Sequence, residues 1–336
     1  MSQFLKDSKK WLPGALISIL VIAAILYFVD FNTMLAALRN ADYRLIAVAV
    51  ALSFVWMFVR AKVWQTLLRD KPTYKDVLFT AGEGYLLNNF LPFRLGEFGR
   101  AFLLSRKSGG MTFSEILPTI VIERVVDLIF AAMIFLFSLP YVVSADTSPV
   151  FGYIIAGVMV FGLALMYVLA RNNQWALDLF HKFTARHPSI QKVGGSFLES
   201  FFQGLSVLTD GWLFLRFLFW MTFNWAIALV AYYLIIRAFF PQAQWIWGVF
   251  GLGMAAFGGA IPSMPGGVGT FEGAVTFAIG LFTKDSSTAL AAALTMRMYN
   301  YLNSGVIGGI GLLSEGQTLS GVYQQLMDFR KKEAAQ

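Results

Sequence analysis

Residues 91–100 read LPFRLGEFGR, and residues 261–273 read IPSMPGGVGTFEG. Each interrupts an apolar stretch with proline and glycine, and each carries charge into the interruption. Proline removes a backbone donor and obstructs the helix behind it, while glycine admits turns closed to other residues. Both stretches therefore predict a short helix, a break and a second short helix. In a membrane such a break persists only where protein or water meets the freed backbone groups.

The rest of the chain supplies that setting. Of 336 residues, 57% are hydrophobic and 13% charged, against roughly 25% charged in an ordinary soluble domain. Several apolar runs approach or exceed the roughly 20 residues that cross a bilayer core. They are continuous rather than alternating, which argues against a membrane β-barrel. Lys6, Lys9 and Lys10 precede the run 11–29 without a cleavage site, so that run reads as a span, not a signal peptide. Cysteine is absent, which excludes disulfide and thiol chemistry. The net charge of +7 sits mostly in loops, where it sets topology and meets anionic lipid rather than nucleic acid.

The expected fold is an all-α polytopic membrane protein. Full spans are expected at about 11–29, 43–68, 112–140, 149–170, 212–240 and 287–313, with broken segments at about 77–107 and 245–283. Basic residues gather at the N-terminus, at 69–75, in the loop 171–211 and in the tail 314–336, so both termini are expected on the cytoplasmic side. The first broken segment then reads as a re-entrant hairpin; the second is either a hairpin from outside or two complete crossings. Span, span, broken segment, span occurs in 1–140 and again in 149–313. That order outlines two inverted-topology repeats, a transporter design.

The breaks hold the candidate site. In the first, Pro92 and Gly96 punctuate the chain beside Asn88, Asn89, Arg94, Glu97 and Arg100. In the second, Pro262, Pro265, Gly266, Gly267 and Gly269 do so beside Glu272. Each new helix begins with unpaired N–H groups and the positive end of its dipole, which together suit an anion. Glu97 and Glu272 lie early in those helices, where they either cap and pair locally or contact a headgroup or proton. Glu123 and Asp127, four apart with Arg124 between them, place charge in mid-span, where it should face the interior. Arg297 is the counterpart in the second half. Arg60 and Lys62 fall toward the cytoplasmic end of their span, where Lys62 is expected to snorkel. Gly305 and Gly309 form a G-x-x-x-G, a close helix contact within one chain or between two copies of a homodimer.

The strings RAKVW (60–64), NFLPFRLGEFGR (89–100), ERVVD (123–127) and PSMPGGVGTFE (262–272) resemble the flippase-like transmembrane domain of the lysylphosphatidylglycerol synthase family over about residues 11–313. The resemblance implies lipid translocation in a bacterial or archaeal cytoplasmic membrane. Members fused to a synthase move aminoacylated phosphatidylglycerol between leaflets, and other relatives are associated with glycolipids, polyprenyl-phosphate sugars and hopanoids. Here the chain ends about twenty residues after the last span, so aminoacylation is not carried over.

The leading expectation is a flippase for a phospholipid, aminoacylated or glycosylated or neither, with its phosphate on Arg94, Arg100 or Arg124. No G-x-x-x-x-G-K-[ST] is present, so coupling to a gradient would fall to Glu97, Glu123, Asp127 or Glu272. The alternative is a secondary transporter of a small anionic or amphiphilic solute. A membrane enzyme fits less well. The only histidines, His181 and His187, lie in the loop 171–211, and no metal-ligand spacing is present. No cofactor, metal or nucleic-acid partner is expected.

Overall fold

The computed structural model describes residues 16–23, 25, 27, 29–91, 95–107, 110–143, 182, 210–261 and 263–333. The span expected at 149–170, the loop histidines, Arg94, Pro92 and Pro262 lie outside the described residues. Among those residues the chain is helical and contains no strand. A helix α1 over 16–23 is followed by α2 (Phe31–Asn40), α3 (Tyr43–Leu67), α4 (Tyr74–Phe90), α5 (Leu95–Lys107) and α6 (Phe113–Val143). Then come α7 (Gly211–Phe239), α8 (Trp245–Ala260), a single 3-10 turn (Pro265–Gly267), α9 (Thr270–Thr283), α10 (Ser286–Ser314) and α11 (Leu319–Glu333).

Side-chain caps set most starts of the long helices. Asp42 accepts from Arg44 N at 2.9 Å, Asp210 from Leu213 N at 3.2 Å and Asp285 from Thr288 N at 3.0 Å. Thr73 caps α4 by accepting from Asp76 N at 3.2 Å. Each occupies one of the donors that a helix start leaves free. Asp30 does the same for α2, and the Thr33 N–H holds its carboxyl below the usual carboxylate range. The helices end where the sequence predicts: α4 stops two residues before Pro92, and α8 two residues before Pro262. By length and apolarity α3 and α7 suffice to cross a bilayer, with mean hydropathy 1.9 and 1.7.

α3 and α7 pack along each other at the centre. Val63 and Leu67 meet Phe217 and Met221 there, all buried. Around this pair the contacts obey a rule: α4 packs on α10 and α8 on α6; α3 on α4 and α7 on α8; α5 on α6 and α9 on α10. Exchanging α3–α6 with α7–α10 carries each of these contacts onto another. Each broken segment is a pair of helices packed on each other, α4 on α5 and α8 on α9.

Glycines permit the closest approaches. A Cβ on Gly308 of α10 would sit 2.6 Å from Gly82 O of α4. By contrast, a Cβ on Gly305 or Gly309 would meet nothing within 4 Å. Within this chain the close approach on α10 is thus made by Gly308, not by the G-x-x-x-G pair. The tail forms α11, whose buried Val322 and Leu326 pack with Phe102 and Leu103 of α5.

Candidate functional site

The two breaks meet. A Cβ on Gly266 in the second break would lie 3.3 Å from the carbonyl oxygen of Asn89 at the end of α4. Both breaks line the more polar of two chambers, about 510 Å3, where Asn88, Asn89, Glu97, Arg124, Asn300 and Ser304 share the wall with apolar groups such as Met57, Leu91, Ile261 and Met264. A second chamber of about 450 Å3 lies between α3, α6, α7, α8 and α10. Its wall is mostly apolar (Leu128, Ala131, Ala228, Ala231, Leu252, Ala256), and its polar groups include Ser53, Arg60, Asp127, Asn224, Tyr232 and Tyr299. Trp56, Tyr85, Arg124, Ala260 and Asn300 line both chambers.

In the first half the charged side chains form one cluster. Glu123, fully buried, accepts through Oε1 from Arg60 at 2.7 Å, Arg100 at 2.9 Å and Arg124 at 2.8 Å. Asp127 accepts from Arg60 Nη1 at 2.8 Å and Trp225 Nε1 at 3.2 Å, and pairs with Arg124 at 3.3 Å. Glu97 lies 3.0 Å from Arg100 Nε, outside hydrogen-bond geometry, and 3.4 Å from Arg124 Nε. Three guanidiniums thus face three carboxylates. The Arg100 guanidinium also stacks 4.6 Å from the Trp64 ring centre. Arg60 and Arg100 are sealed, with side chains 3% and 2% exposed, whereas Arg124 is 26% exposed and faces the chambers.

The second half builds a smaller unit at the same positions. Glu272 is the third residue of α9, as Glu97 is of α5. Arg297 is the twelfth residue of α10, as Arg124 is of α6. Glu272 accepts from Gly269 N at 2.8 Å and from Arg297 at 2.5 and 3.0 Å. Glycine has no side chain, so the capping box at this helix start is only this half. Arg297 also donates to the carbonyls of Gly266 and Gly267, the latter at 2.9 Å, and covers Phe271 at 4.5 Å. Gly266, Gly267 and Gly269 all have positive φ, at 73°, 69° and 88°, which this tight turn requires. The Glu272–Arg297 pair closes the break on itself.

One N–H at each helix start is taken by a side chain: Gly96 N donates to Asn88 Oδ1 at 2.8 Å, and Gly269 N to Glu272 at 2.8 Å. Arg60 lies toward the end of α3, as expected, but in the interior. It is 2% exposed and bridges Glu123 and Asp127, while Lys62 pairs with Asp70 at 3.2 Å on the exposed side. Trp56, Arg60 and Trp64 stand four residues apart along one face of α3, an aromatic frame that marks Arg60 as interior. A second missed group is Glu83, fully buried on α4, whose carboxylate accepts from Lys107 at 2.9 Å. Lys107 also pairs with Glu315 and donates to Thr80 at 2.9 Å, tying the first hairpin to the end of α10. The string GEG at 82–84 signals a glutamate on a close-packed helix face.

Asn88 both holds the backbone of the break and lines the polar chamber, and Asn89 donates to Ser304 Oγ at 2.8 Å. Asn303 donates to Ser53 O at 2.6 Å, and its buried Oδ1 accepts no hydrogen bond from the protein. Among the described residues no group of three or more histidines, cysteines or carboxylates is placed to hold a metal ion. Glu123 and Asp127 are directed at guanidiniums.

Known proteins share this chain's pattern. A UPF0104 membrane protein of Methanocaldococcus jannaschii is 22% identical over 323 residues, covering 89% of this chain and 93% of its own. Another, from Methanothermobacter thermautotrophicus, is 21% identical over 336 residues, covering 96% of this chain and 99% of its own. No solved structure matches. The sequence pattern of the family described as "Lysylphosphatidylglycerol synthase TM region" matches residues 12–308, a stretch that contains both breaks, both chambers and the charged cluster, and this helical membrane chain belongs to that family.

Proposed function

We propose that the chain translocates a lipid with a phosphate-containing headgroup between the leaflets of a cytoplasmic membrane. One observation carries this reading: a polar chamber and an apolar chamber share a wall at Arg124, Trp56, Tyr85 and Asn300. An amphiphile needs both environments at once. Its headgroup fits the amides, hydroxyls and Arg124 of the first, and the top of its acyl chains fits the alanine- and leucine-lined second. A small soluble anion would have no use for the apolar chamber.

The packing rule over α3–α10 and the matched Glu–Arg pairs support two repeats within 1–140 and 149–313; the loop charges support inverted topology, re-entrant hairpins and cytoplasmic termini. In such repeats alternating access comes from rocking one half against the other about a central site. The reading assigns no chemistry to the chain; its residues bind and release.

The test is a quenching assay in liposomes carrying headgroup-labelled phospholipids, with quencher added outside. Wild type should bring the inner-leaflet label within reach of the quencher, and Arg124→Ala should return the rate to that of protein-free liposomes while remaining folded. No acceleration with zwitterionic, anionic or aminoacylated lipids would overturn the reading, as would an Arg124→Ala variant as fast as wild type.

A further inference from the structure

We propose that Glu97 is the proton-exchanging group of this site: an anionic headgroup entering the polar chamber replaces Glu97 on Arg124, and Glu97 takes up one proton. The inference rests on the translocation reading above and names how the site accepts charge.

Charge balance is the first step. Arg60, Arg100 and Arg124 against Glu97, Glu123 and Asp127 sum to zero. A net negative ligand seated beside Arg124 would leave one uncompensated charge in a poorly solvated interior, which is strongly unfavourable. Protonating one carboxylate removes it.

Geometry selects which one. Glu123 lies under three guanidiniums and has no exposed surface. Asp127 is held by Arg60 and Trp225 and lines the apolar chamber. Glu97 alone of the three lines the polar chamber. It is also the most loosely held. Its ion pair with Arg100 lacks hydrogen-bond geometry, and its contacts with Arg124 and with Asn88 Nδ2 are both 3.4 Å. The counterpart Glu272 is gripped at 2.5, 2.8 and 3.0 Å.

The groups around Glu97 leave it as the titrating member. Tyr85 and Asn88 come from α4, Arg100 from α5, and Glu123, Arg124 and Asp127 from α6. Arg60 stands behind Glu123 on α3, and Asn300 faces the same chamber from α10. Arginines keep their protons at any working pH, and asparagine does not titrate. The proton comes from the aqueous side when the anion binds and returns when it leaves. Because binding consumes a proton, raising pH weakens binding of an anionic headgroup. A zwitterionic headgroup adds no net charge and binds without this dependence.

Calorimetric titration of the purified full chain in detergent tests this, using dihexanoyl phosphatidylglycerol in two buffers of different ionisation enthalpy. The expected result is one proton taken up per lipid bound, with affinity falling by up to about tenfold per pH unit. Glu97→Gln should lose both the uptake and the pH dependence, and Glu97→Asp should restore them. Wild-type binding without proton uptake, or uptake that persists in Glu97→Gln, would overturn the assignment of Glu97 and leave lipid binding standing. Uptake with sn-glycerol 3-phosphate equal to that with the lipid would keep Glu97 and remove the lipid reading. Absence of binding by phosphatidylglycerol, phosphatidylcholine and glycerol phosphate alike would overturn both. If Glu97→Gln fails to fold, wild-type binding without proton uptake still overturns the proposal, and loss of pH dependence on the less drastic Glu97→Asp change would do the same.

Discussion

The two breaks use the same residues at matching positions and reach opposite outcomes. At the second, Glu272 and Arg297 satisfy each other, a helix start and two carbonyls. The glutamate and arginine hold a glycine turn, and little of either is left over. At the first, Glu97 and Arg124 stand in the same places, but Arg60, Arg100, Glu123 and Asp127 surround them. Asn88, a neutral amide, takes the role of holding the break's backbone. Arg124 thereby holds no carbonyl of the break; it pairs with Glu97, Glu123 and Asp127 and, a quarter exposed, faces the chambers. A shared Glu–Arg pair is thus a latch in one half and part of a site in the other. Its neighbours, not its own identity, decide which.

The sharpest way to break this comparison is at the anchor of the first cluster. Glu123→Gln would remove the charge on which three guanidiniums converge and leave buried cations uncompensated. Losing one partner of a buried pair is far more costly than never having built it. We expect about 5 kcal/mol of lost stability, read as a large fall in the denaturant or thermal midpoint in detergent. A variant as stable as wild type would mean the cluster is hydrated enough to dispense with its anchor.

Next comes the contrast between the two arginines. Arg297→Ala should cost about 3 kcal/mol, because Glu272 and two carbonyls of the turn lose their partner together. Arg124→Ala should cost about 1 kcal/mol, because Arg60 and Arg100 remain on Glu123 and the residue is a quarter exposed. The transport effects should run in the reverse order once corrected for folded protein. Equal losses of stability in the two variants would dissolve the distinction between latch and site.

Much of this was legible in the sequence, for physical reasons. The helix limits follow from aspartate and threonine caps and from prolines that cannot be continued through, so Tyr43–Leu67 and Gly211–Phe239 fall within a residue or so of expectation. The pairing of halves showed in the order of spans and breaks. What did not show is tertiary. Whether Arg60 snorkels or is sealed depends on α6 and α7 covering that face of α3, which no local pattern states. Helix physics alone predicts freed donors at both starts, and the side chain of Asn88 on the neighbouring helix and Glu272 one turn along each reach one of them. Local rules say that such donors must be satisfied; they do not say by whom.

A last pair of variants separates the breaks by packing rather than charge. At the first, a Cβ on Gly96 would fall 2.1 Å from Gly84 O and 2.6 Å from Asn88 Oδ1. Gly96→Ala must therefore push α5 off α4, at about 2 kcal/mol, and should slow translocation by shifting Glu97 and Arg100. At the second, a Cβ on Gly267 would meet nothing nearer than 3.8 Å, and only its φ of +69° opposes the change. Gly267→Ala should cost about 1 kcal/mol, the ordinary penalty of a left-handed alanine, and should leave translocation within about twofold, less than 0.5 kcal/mol of barrier. Gly267 tolerates added volume because no neighbour stands nearer than 3.8 Å to the new Cβ. Gly96 does not, because α5 meets the backbone of α4 there. A Gly267→Ala variant that loses transport as completely as Gly96→Ala would make the second break a moving part of the site rather than its fixed wall.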